Sequence, residues 1–326
     1  LSDLLKRSPT NYGDFQDKVD AIIKNVRDNG DKAVFDYTAQ FDKAEINADN
    51  ILVTEEEIKE AYEEVDDELI KVIRKAIKNI RDFHEKQIQK SWFETREDGV
   101  MLGQKVTPME TCGVYVPGGK AVYPSSVLMN IVPAHVAGVK NIIMTTPPGK
   151  DGKVTANTLV AAKEAGATKV YKVGGAQAIA AMAFGTESIP KVDKIVGPGN
   201  IFVALAKKAV YGNVSIDSIA GPSEILVLAD ETANPRYVAA DLLSQAEHDE
   251  MASAILVTTS EELAHKVSDE IDGFLNQLSR KEIMEKSLDS FGYILVASDM
   301  KEAIDTANAI ASEHMEIMTA NPFDVM

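Results

Sequence analysis

Residues 169–184 read KVYKVGGAQAIAAMAF, and this stretch decides the fold. A β-prone run from Lys169 to Val173 passes through two glycines into an Ala-rich run of helical composition. A strand that leads through glycines directly into a helix is typical of a βαβ unit. The same order recurs where Lys194 to Val196 is followed by Gly197-Pro198-Gly199-Asn200. These units predict a parallel sheet with right-handed connections.

Working outward, two sets of such units can be recognised. The first lies within residues 107–222, and the second begins near Gly221 and has strand-like runs as far as Thr319. Residues 11–90 instead show the apolar spacing of amphipathic helices, with Thr54 and Glu57 as a capping box. We therefore predict an inserted α/β domain at 107–222. Residues 1–106 and 223–326 would form a second, discontinuous α/β domain that includes the N-terminal helices.

The composition excludes several classes of protein. The 326 residues contain 34 Lys and Arg against 51 Asp and Glu, a net charge of −17, and 45% are apolar. Such a chain can form a core, and its charge argues against a nucleic-acid or membrane-surface partner. A single cysteine and the absence of an export signal or a long apolar run predict a cytoplasmic protein.

Two glycine turns are candidates for binding a nucleotide. No G-x-G-x-x-G fingerprint is present, but Gly174-Gly175 with Gln177, and Gly197 to Asn200, each open a helix after a strand. Free amides at a helix start favour phosphate groups, and glycines allow a close approach. The same pattern is also compatible with simple tight turns. In open parallel sheets ligands bind beyond the carboxyl ends of the strands, so we expect the site there.

Polar residues in the second set could carry chemistry. Gln245 and His248 lie three residues apart near a helix end, which suits either a metal site or a polar helix end. His314, beside Glu313, follows a helix and is either a base for alcohol oxidation or a helix cap, since an imidazole titrates near neutral pH. Cys112 is either a nucleophile or a small buried hydrophobe.

Six motifs together resemble histidinol dehydrogenase in order and approximate spacing, over nearly the whole chain. They are GVYVPGG at 113–119, GGAQAIAA at 174–181, GPGN at 197–200, AGPSE at 220–224, LSQAEHD at 243–249 and SEH at 312–314.

The resemblance implies an NAD- and zinc-dependent oxidation of L-histidinol through L-histidinal to L-histidine. It assigns NAD contacts to Tyr115, Gln177 and Asn200, and catalysis to Glu313 and His314. Ser223 would contact the substrate together with His314, and Gln245 and His248 would bind zinc and lie against the substrate.

The resemblance also implies two incomplete Rossmann-like domains, with parallel-type sheets flanked by helices, and a homodimer. In the family, further residues after the last strand complete the zinc site. We therefore expect the chain as it stands to bind zinc weakly and to turn over poorly. Two other functions stay open: an aldehyde dehydrogenase that uses Cys112 as nucleophile, and a non-catalytic two-domain binder of a small ligand.

Overall fold

The computed structural model describes residues 13–118, 124–219 and 221–326. Residues 1–12 of the predicted discontinuous domain, and Gly119 and Ala220 of the motifs, lie outside the described residues. Contacts divide the described chain into two compact units, 13–219 and 221–326. Both are mixed α/β with parallel sheets flanked by helices, which confirms the predicted fold class.

The first unit contains helices and strands in the following order: α1 (Gly13–Phe41), α2 (Glu55–Glu64), α3 (Asp67–His84), β1 (Trp92–Thr95), β2 (Met101–Gln104), β3 (Thr111–Tyr115), α4 (Pro124–Val136), β4 (Asn141–Thr146), α5 (Ala156–Ala165), β5 (Lys169–Lys172), α6 (Gly175–Phe184), β6 (Lys194–Val196), α7 (Ile201–Val210) and β7 (Ser215–Ile216).

Five of these strands form one parallel sheet in the order β5-β4-β3-β6-β7. The chain places β4 and then β5 on one side of β3, and afterwards places β6 and β7 on the other side. Such a change of direction opens a crevice at the carboxyl ends of the two central strands, where open α/β sheets bind ligands. The crevice lies beyond Tyr115 and Val196, the last residues of β3 and β6.

The N-terminal helices cover this same sheet. Apolar side chains of α1 pack with α6 and α7 on one face, and those of α2 and α3 pack with α4 and α5 on the other. Of the described residues, 13–106 therefore lie in the same unit as 107–219 and not with 223–326, unlike the predicted grouping. An amphipathic stripe, such as Ile70, Ile73 and Ile77 of α3, requires an apolar partner but does not say which sheet provides it.

Strands β1 and β2 form an antiparallel hairpin, with Trp92 opposite Gln104, that we did not expect from the sequence. All eight of its strand residues are exposed. A strand that buries neither face lacks the apolar alternation by which strands are recognised.

The second unit contains β8 (Glu224–Ala229), α8 (Pro235–Ala246), β9 (Ser253–Thr258), α9 (Glu261–Leu275), α10 (Lys281–Phe291), β10 (Gly292–Val296), α11 (Met300–Ile310), β11 (His314–Met318) and α12 (Pro322–Val325). Its four strands form a parallel sheet in the order β10-β9-β8-β11. Helices α8, α9 and α10 pack on one face and α11 on the other. Asn234 caps α8 through the Arg236 amide, as the sequence predicts.

Among the helices of the described residues, none combines the length and apolar character needed to cross a membrane.

Candidate active site

Tyr115 lies at the carboxyl end of β3 and connects that strand to α6. Its hydroxyl accepts a hydrogen bond from the Gly175 amide at 3.1 Å. Burial raises the pKa of Tyr115 to about 12, although the Gly175 hydrogen bond acts in the opposite direction. The neutral hydroxyl therefore holds the first turn of α6 in place and keeps its own hydrogen for a further acceptor.

Gln177 follows two residues later and is only 1% exposed. Within the described residues its Oε1 has no hydrogen-bond partner. Gly175 has a φ of +65°, and a Cβ there would lie 2.6 Å from Gln177 Oε1, so a side chain at position 175 would displace the amide. A buried amide oxygen without a partner is costly, and a ligand that donates a hydrogen bond would satisfy it.

Asn200 caps α7, and this function uses its oxygen. Oδ1 accepts hydrogen bonds from the amides of Phe202 at 3.1 Å and Val203 at 3.3 Å. The side chain is therefore left with its Nδ2 hydrogens for a ligand, so Asn200 can act there as a donor.

Two residues that we did not predict, the buried Lys207 and the more exposed Asp217, hold the turn before Asn200. Lys207 donates to the Gly197 carbonyl oxygen at 2.9 Å, and Asp217 accepts from the Gly197 amide at 2.8 Å. Lys207 and Asp217 also form an ion pair. Gly197 has a φ of +119°, and a Cβ there would overlap the Tyr115 carbonyl oxygen. The only sequence signal was a lysine on the buried side of an otherwise apolar helix.

Tyr115, Gln177 and Asn200 are thus brought together around the crevice of the first unit. Tyr115 touches the start of α6 through Gly175 and the turn before α7 through Gly197. The site offers an unpartnered amide oxygen, amide hydrogens and the amino ends of two helices. This set of uncharged groups fits a dinucleotide, whose phosphates prefer helix amino ends and whose amide and hydroxyl groups need hydrogen-bond partners.

The predicted catalytic residues lie in the second unit, at the start of β11. His314 Nδ1 lies 3.0 Å from the carbonyl oxygen of Glu224, the first residue of the neighbouring β8. A carbonyl oxygen only accepts hydrogen bonds, so Nδ1 carries the hydrogen. In the neutral ring this leaves the lone pair on Nε2, the atom that can take up a proton. The carboxylate of Glu313 lies 3.7 Å from Nδ1 and is largely exposed.

Gln245 and His248 lie at the same edge of this sheet. Gln245 is in the last turn of α8, and the His248 amide donates to its carbonyl oxygen at 3.0 Å. The chain then returns to β9, where the Ser253 amide donates to the Ser223 carbonyl oxygen at 2.9 Å. Ser223, Gln245, His248 and His314 therefore lie at the amino ends of the strands. The expectation of a site at the carboxyl ends of strands concerned the glycine turns of the first unit, and these candidates of the second unit lie at the opposite ends of their strands.

A pair of carboxyl groups lies on the same face of the second sheet as His314. Glu316 is on β11 two residues after His314, and it contacts Asp241, one helical turn before Gln245 on α8. Burial raises the pKa of Glu316 to about 7. The hydrogen bond that protonated Glu316 donates to Asp241 and the negative charge of Asp241 act in the same direction, while His314 opposes them. We did not predict this pair, because its members are 75 residues apart (316 − 241) in the sequence.

Comparison with known proteins decides the family. The sequence profile described as Histidinol dehydrogenase matches residues 5–326. The chain is 60% identical to the histidinol dehydrogenase of Bacillus subtilis (strain 168) over 304 residues, which are 93% of this chain and 71% of that protein. It is 55% identical to that of Aquifex aeolicus (strain VF5) over 326 residues, 100% of this chain and 75% of the relative. The chain belongs to the histidinol dehydrogenase family.

A solved structure agrees with this assignment. The histidinol dehydrogenase of Elizabethkingia anophelis superposes with a TM-score of 0.94 at 40% sequence identity, covering 99% of this chain and 74% of that chain. Family membership supports an enzyme of histidine biosynthesis that acts on histidinol. The resemblance seen in the sequence motifs is therefore confirmed.

The histidinol dehydrogenase fold does not, within the described residues, assemble a complete metal site. No group of three or more His, Cys, Asp or Glu side chains in this part of the chain is arranged to hold a metal ion. Protein zinc sites use three or four protein ligands, and Gln245 and His248 supply two. The described residues therefore do not fit zinc by themselves.

Cys112 of this histidinol dehydrogenase family member is poorly suited to the alternative role of nucleophile. It is 4% exposed in β3. Burial raises the pKa of its thiol to about 11, well above neutral pH. The thiolate is the reactive form, so the side chain acts as a small core residue.

Proposed function

We propose that the chain catalyses the NAD-dependent oxidation of L-histidinol through L-histidinal to L-histidine. The family assignment supports the overall activity. The single observation that carries the mechanism is the hydrogen bond from His314 Nδ1 to the Glu224 carbonyl oxygen, at 3.0 Å. It fixes one tautomer of the ring and leaves Nε2 as the base.

His314 would act on the substrate hydroxyl group. Its Nε2 accepts the hydroxyl proton while hydride leaves the adjacent carbon, which gives the aldehyde. Glu313, exposed beside it, would accept a proton from the water that adds to the aldehyde carbon. As the water adds, protonated His314 would return its proton to the aldehyde oxygen. Neutral His314 would then take a proton again as the hydrate loses a second hydride and becomes the carboxylic acid, which ionises in water. Ser223, at the same edge, would hold the substrate.

Tyr115, Gln177 and Asn200 would hold the cofactor. NAD, when bound, supplies the hydride acceptor for both oxidations. Gln177 Oε1 would accept a hydrogen bond from it and Asn200 Nδ2 would donate one, as their local partners allow. Both contacts use neutral groups, which suits an anionic cofactor on a chain of net charge −17.

Gln245 and His248 are proposed as two zinc ligands, which would also place them against the substrate. We assign no chemical step to the metal, because the described residues do not complete its coordination. We expect Gln245 and His248 by themselves to bind zinc weakly, because two ligands do not complete its coordination. Titration with zinc in a calorimeter tests this, and a tight site of one ion per chain that disappears in Gln245→Ala would contradict the expected weakness.

A homodimer and a cytoplasmic location complete the proposal, and both follow from the resemblance to the family. Light scattering of the purified chain would test the dimer, and a mass of 35.4 kDa at all concentrations would contradict it.

The activity is tested by following formation of reduced NAD from L-histidinol. We expect His314→Gln to lower kcat at least ~100-fold, because the base is removed. His265→Gln is the matched control, since His265 is an exposed residue of α9. The Bacillus subtilis relative, 60% identical, serves as positive control. The mechanism is wrong if both variants retain equal activity.

A further inference from the structure

A buried carboxylate oxygen in the first unit has no partner. Asp42 follows directly after α1, and its amide donates to the Thr38 carbonyl oxygen at 2.9 Å. Its Oδ2 is buried, and within the described residues no group donates a hydrogen bond to it. An orphaned carboxylate oxygen is destabilising unless some other molecule satisfies it, so this position needs an explanation.

Asp42 faces a cavity of about 780 Å³ at the carboxyl ends of β3 and β4. Pro117 and Gly118, which follow β3, and Pro147, which follows β4, line the cavity together with Asn157 in the first turn of α5. The volume is within the usual range of small-molecule sites. All of these residues belong to the same compact unit as Tyr115 and Gln177.

The strand order indicates which part of a dinucleotide this cavity would receive. Numbered from the first strand of the sheet, the order β5-β4-β3-β6-β7 is 3-2-1-4-5, the order of the dinucleotide-binding sheet. In that sheet an acidic residue about 20 residues beyond the first glycine turn binds the ribose hydroxyls of NAD. The cavity lies on the side of β4, the second strand, where that ribose would lie.

After β4, the carboxylate that lines the cavity is Asp151, and one of its oxygens is used in a local turn. The strand is followed by Pro147-Pro148-Gly149. The first carboxylate after it, Asp151, accepts a hydrogen bond from the Lys153 amide at 3.1 Å and so stabilises a local turn. Asp42 lines the same cavity from the end of α1, and its buried Oδ2 has no hydrogen-bond donor within the described residues.

We infer that Asp42 Oδ2 accepts a hydrogen bond from a ribose hydroxyl of the adenosine half of NAD, and that its charge disfavours the 2′-phosphate of NADP. This inference rests on the proposed function, because it takes NAD as the cofactor. Asp42 would thus be a specificity-determining residue that lies about 70 residues before Tyr115 in sequence, a position where no nucleotide motif would place it.

Electrostatics agree with this geometry. Burial raises the pKa of Asp42 to about 6, which reflects the missing partner. The Asp42 charge also contributes to the raised pKa of Tyr115. A ribose hydroxyl that donates to Oδ2 would favour the charged form of Asp42 and lower its pKa again.

The test is equilibrium binding, measured by calorimetry without substrate, so that it does not depend on turnover. The probes are NAD, NADP and ADP-ribose, and the variants are Asp42→Ala and the isosteric Asp42→Asn. We expect Asp42→Ala to raise the Kd for NAD and ADP-ribose about tenfold, and to leave the Kd for NADP unchanged or lower. Asp42→Asn should have Kd values between those of the parent and of Asp42→Ala, and as the isosteric variant it should retain the fold.

Glu63→Gln is the matched control. Glu63 is an exposed carboxylate of α2 that does not line the cavity, so its replacement removes one negative charge and leaves the cavity wall unchanged. We expect its Kd for NAD to stay within twofold of the parent. Equal NAD affinity in the parent and both folded Asp42 variants would overturn the inference while the proposed function stands. If the parent binds neither NAD nor ADP-ribose, the cofactor assignment itself fails, and the inference with it.

Discussion

Lys207 and Asp217 form an ion pair that holds the backbone of the turn leading to Asn200. The Lys207 side chain is 4% exposed and that of Asp217 is 32% exposed. Lys207 binds the carbonyl oxygen of Gly197, and Asp217 binds its amide. One charge on α7 and one directly after β7 therefore fix Gly197, whose backbone lies against Tyr115.

Replacing Lys207 with Met removes the ammonium group and keeps most of the side-chain volume. We expect the free energy of unfolding to fall by about 2 to 4 kcal/mol, because Asp217 and the Gly197 carbonyl oxygen lose their partner. Urea denaturation measures this. Lys208→Met, at the neighbouring exposed lysine, should change stability by less than about 0.5 kcal/mol. Equal effects of the two substitutions would mean that the ion pair contributes little.

Stability should depend on pH through Asp42. Burial raises its pKa from 3.8 to about 6. Between these values the folded chain keeps a proton that the unfolded chain has released, so this contribution to stability is lost as the pH rises from about 4 to about 6. Asp42→Asn removes the effect and should be more stable than the parent by about 1 to 3 kcal/mol at about pH 8, with the difference vanishing near pH 4. Thermal denaturation of both at several pH values checks it, and a difference independent of pH would contradict it.

Stability should also depend on pH through Glu316, in the second unit. Burial, and then contact with Asp241, raise its pKa from 4.5 to about 7. The contribution of protonated Glu316 to the stability of the folded chain is complete below about pH 4.5 and is lost as the pH rises through about 7. Glu316→Gln keeps a hydrogen-bond donor toward Asp241, so we expect it to gain about 1 to 3 kcal/mol over the parent at about pH 8. The exposed Glu313→Gln is the control, and a similar gain there would point to net charge as the cause.

Cys112 should be inert in the folded protein. Because the thiol is buried and its pKa is raised to about 11, a thiol-directed reagent should react slowly at neutral pH and rapidly after unfolding in urea. Cys112→Ala should retain formation of reduced NAD within about twofold of the parent. Loss of activity in a folded Cys112→Ala variant would revive the aldehyde dehydrogenase alternative.

Local features of the fold were predictable because their signals lie close together in the chain. The Thr54–Glu57 capping box and the Asn234 cap are present as expected. The predicted strand at Lys194–Val196 matches β6. Each depends on residues within a few positions of one another, where backbone geometry links sequence directly to structure.

Several features of the candidate site were not predictable. The orphaned Oδ2 of Asp42, the clamp of Lys207 and Asp217 on Gly197, and the Glu316–Asp241 contact all join segments far apart in sequence. Sequence spacing carries no signal for such pairs. The tautomer of His314 likewise depends on Glu224, on a different strand.

By itself, the sequence determined the α/β class, most helices and strands, and through its motifs the histidinol dehydrogenase family. These follow from local periodicity, turn residues and the order of short motifs. Only the tertiary structure decided that α1 to α3 cover the 111–216 sheet, that His314 lies at the amino edge of its sheet, and that Asp42 faces the β3–β4 cavity. The physical reason is that burial and hydrogen bonding between distant segments depend on which surfaces meet, and many pairings satisfy the same apolar pattern.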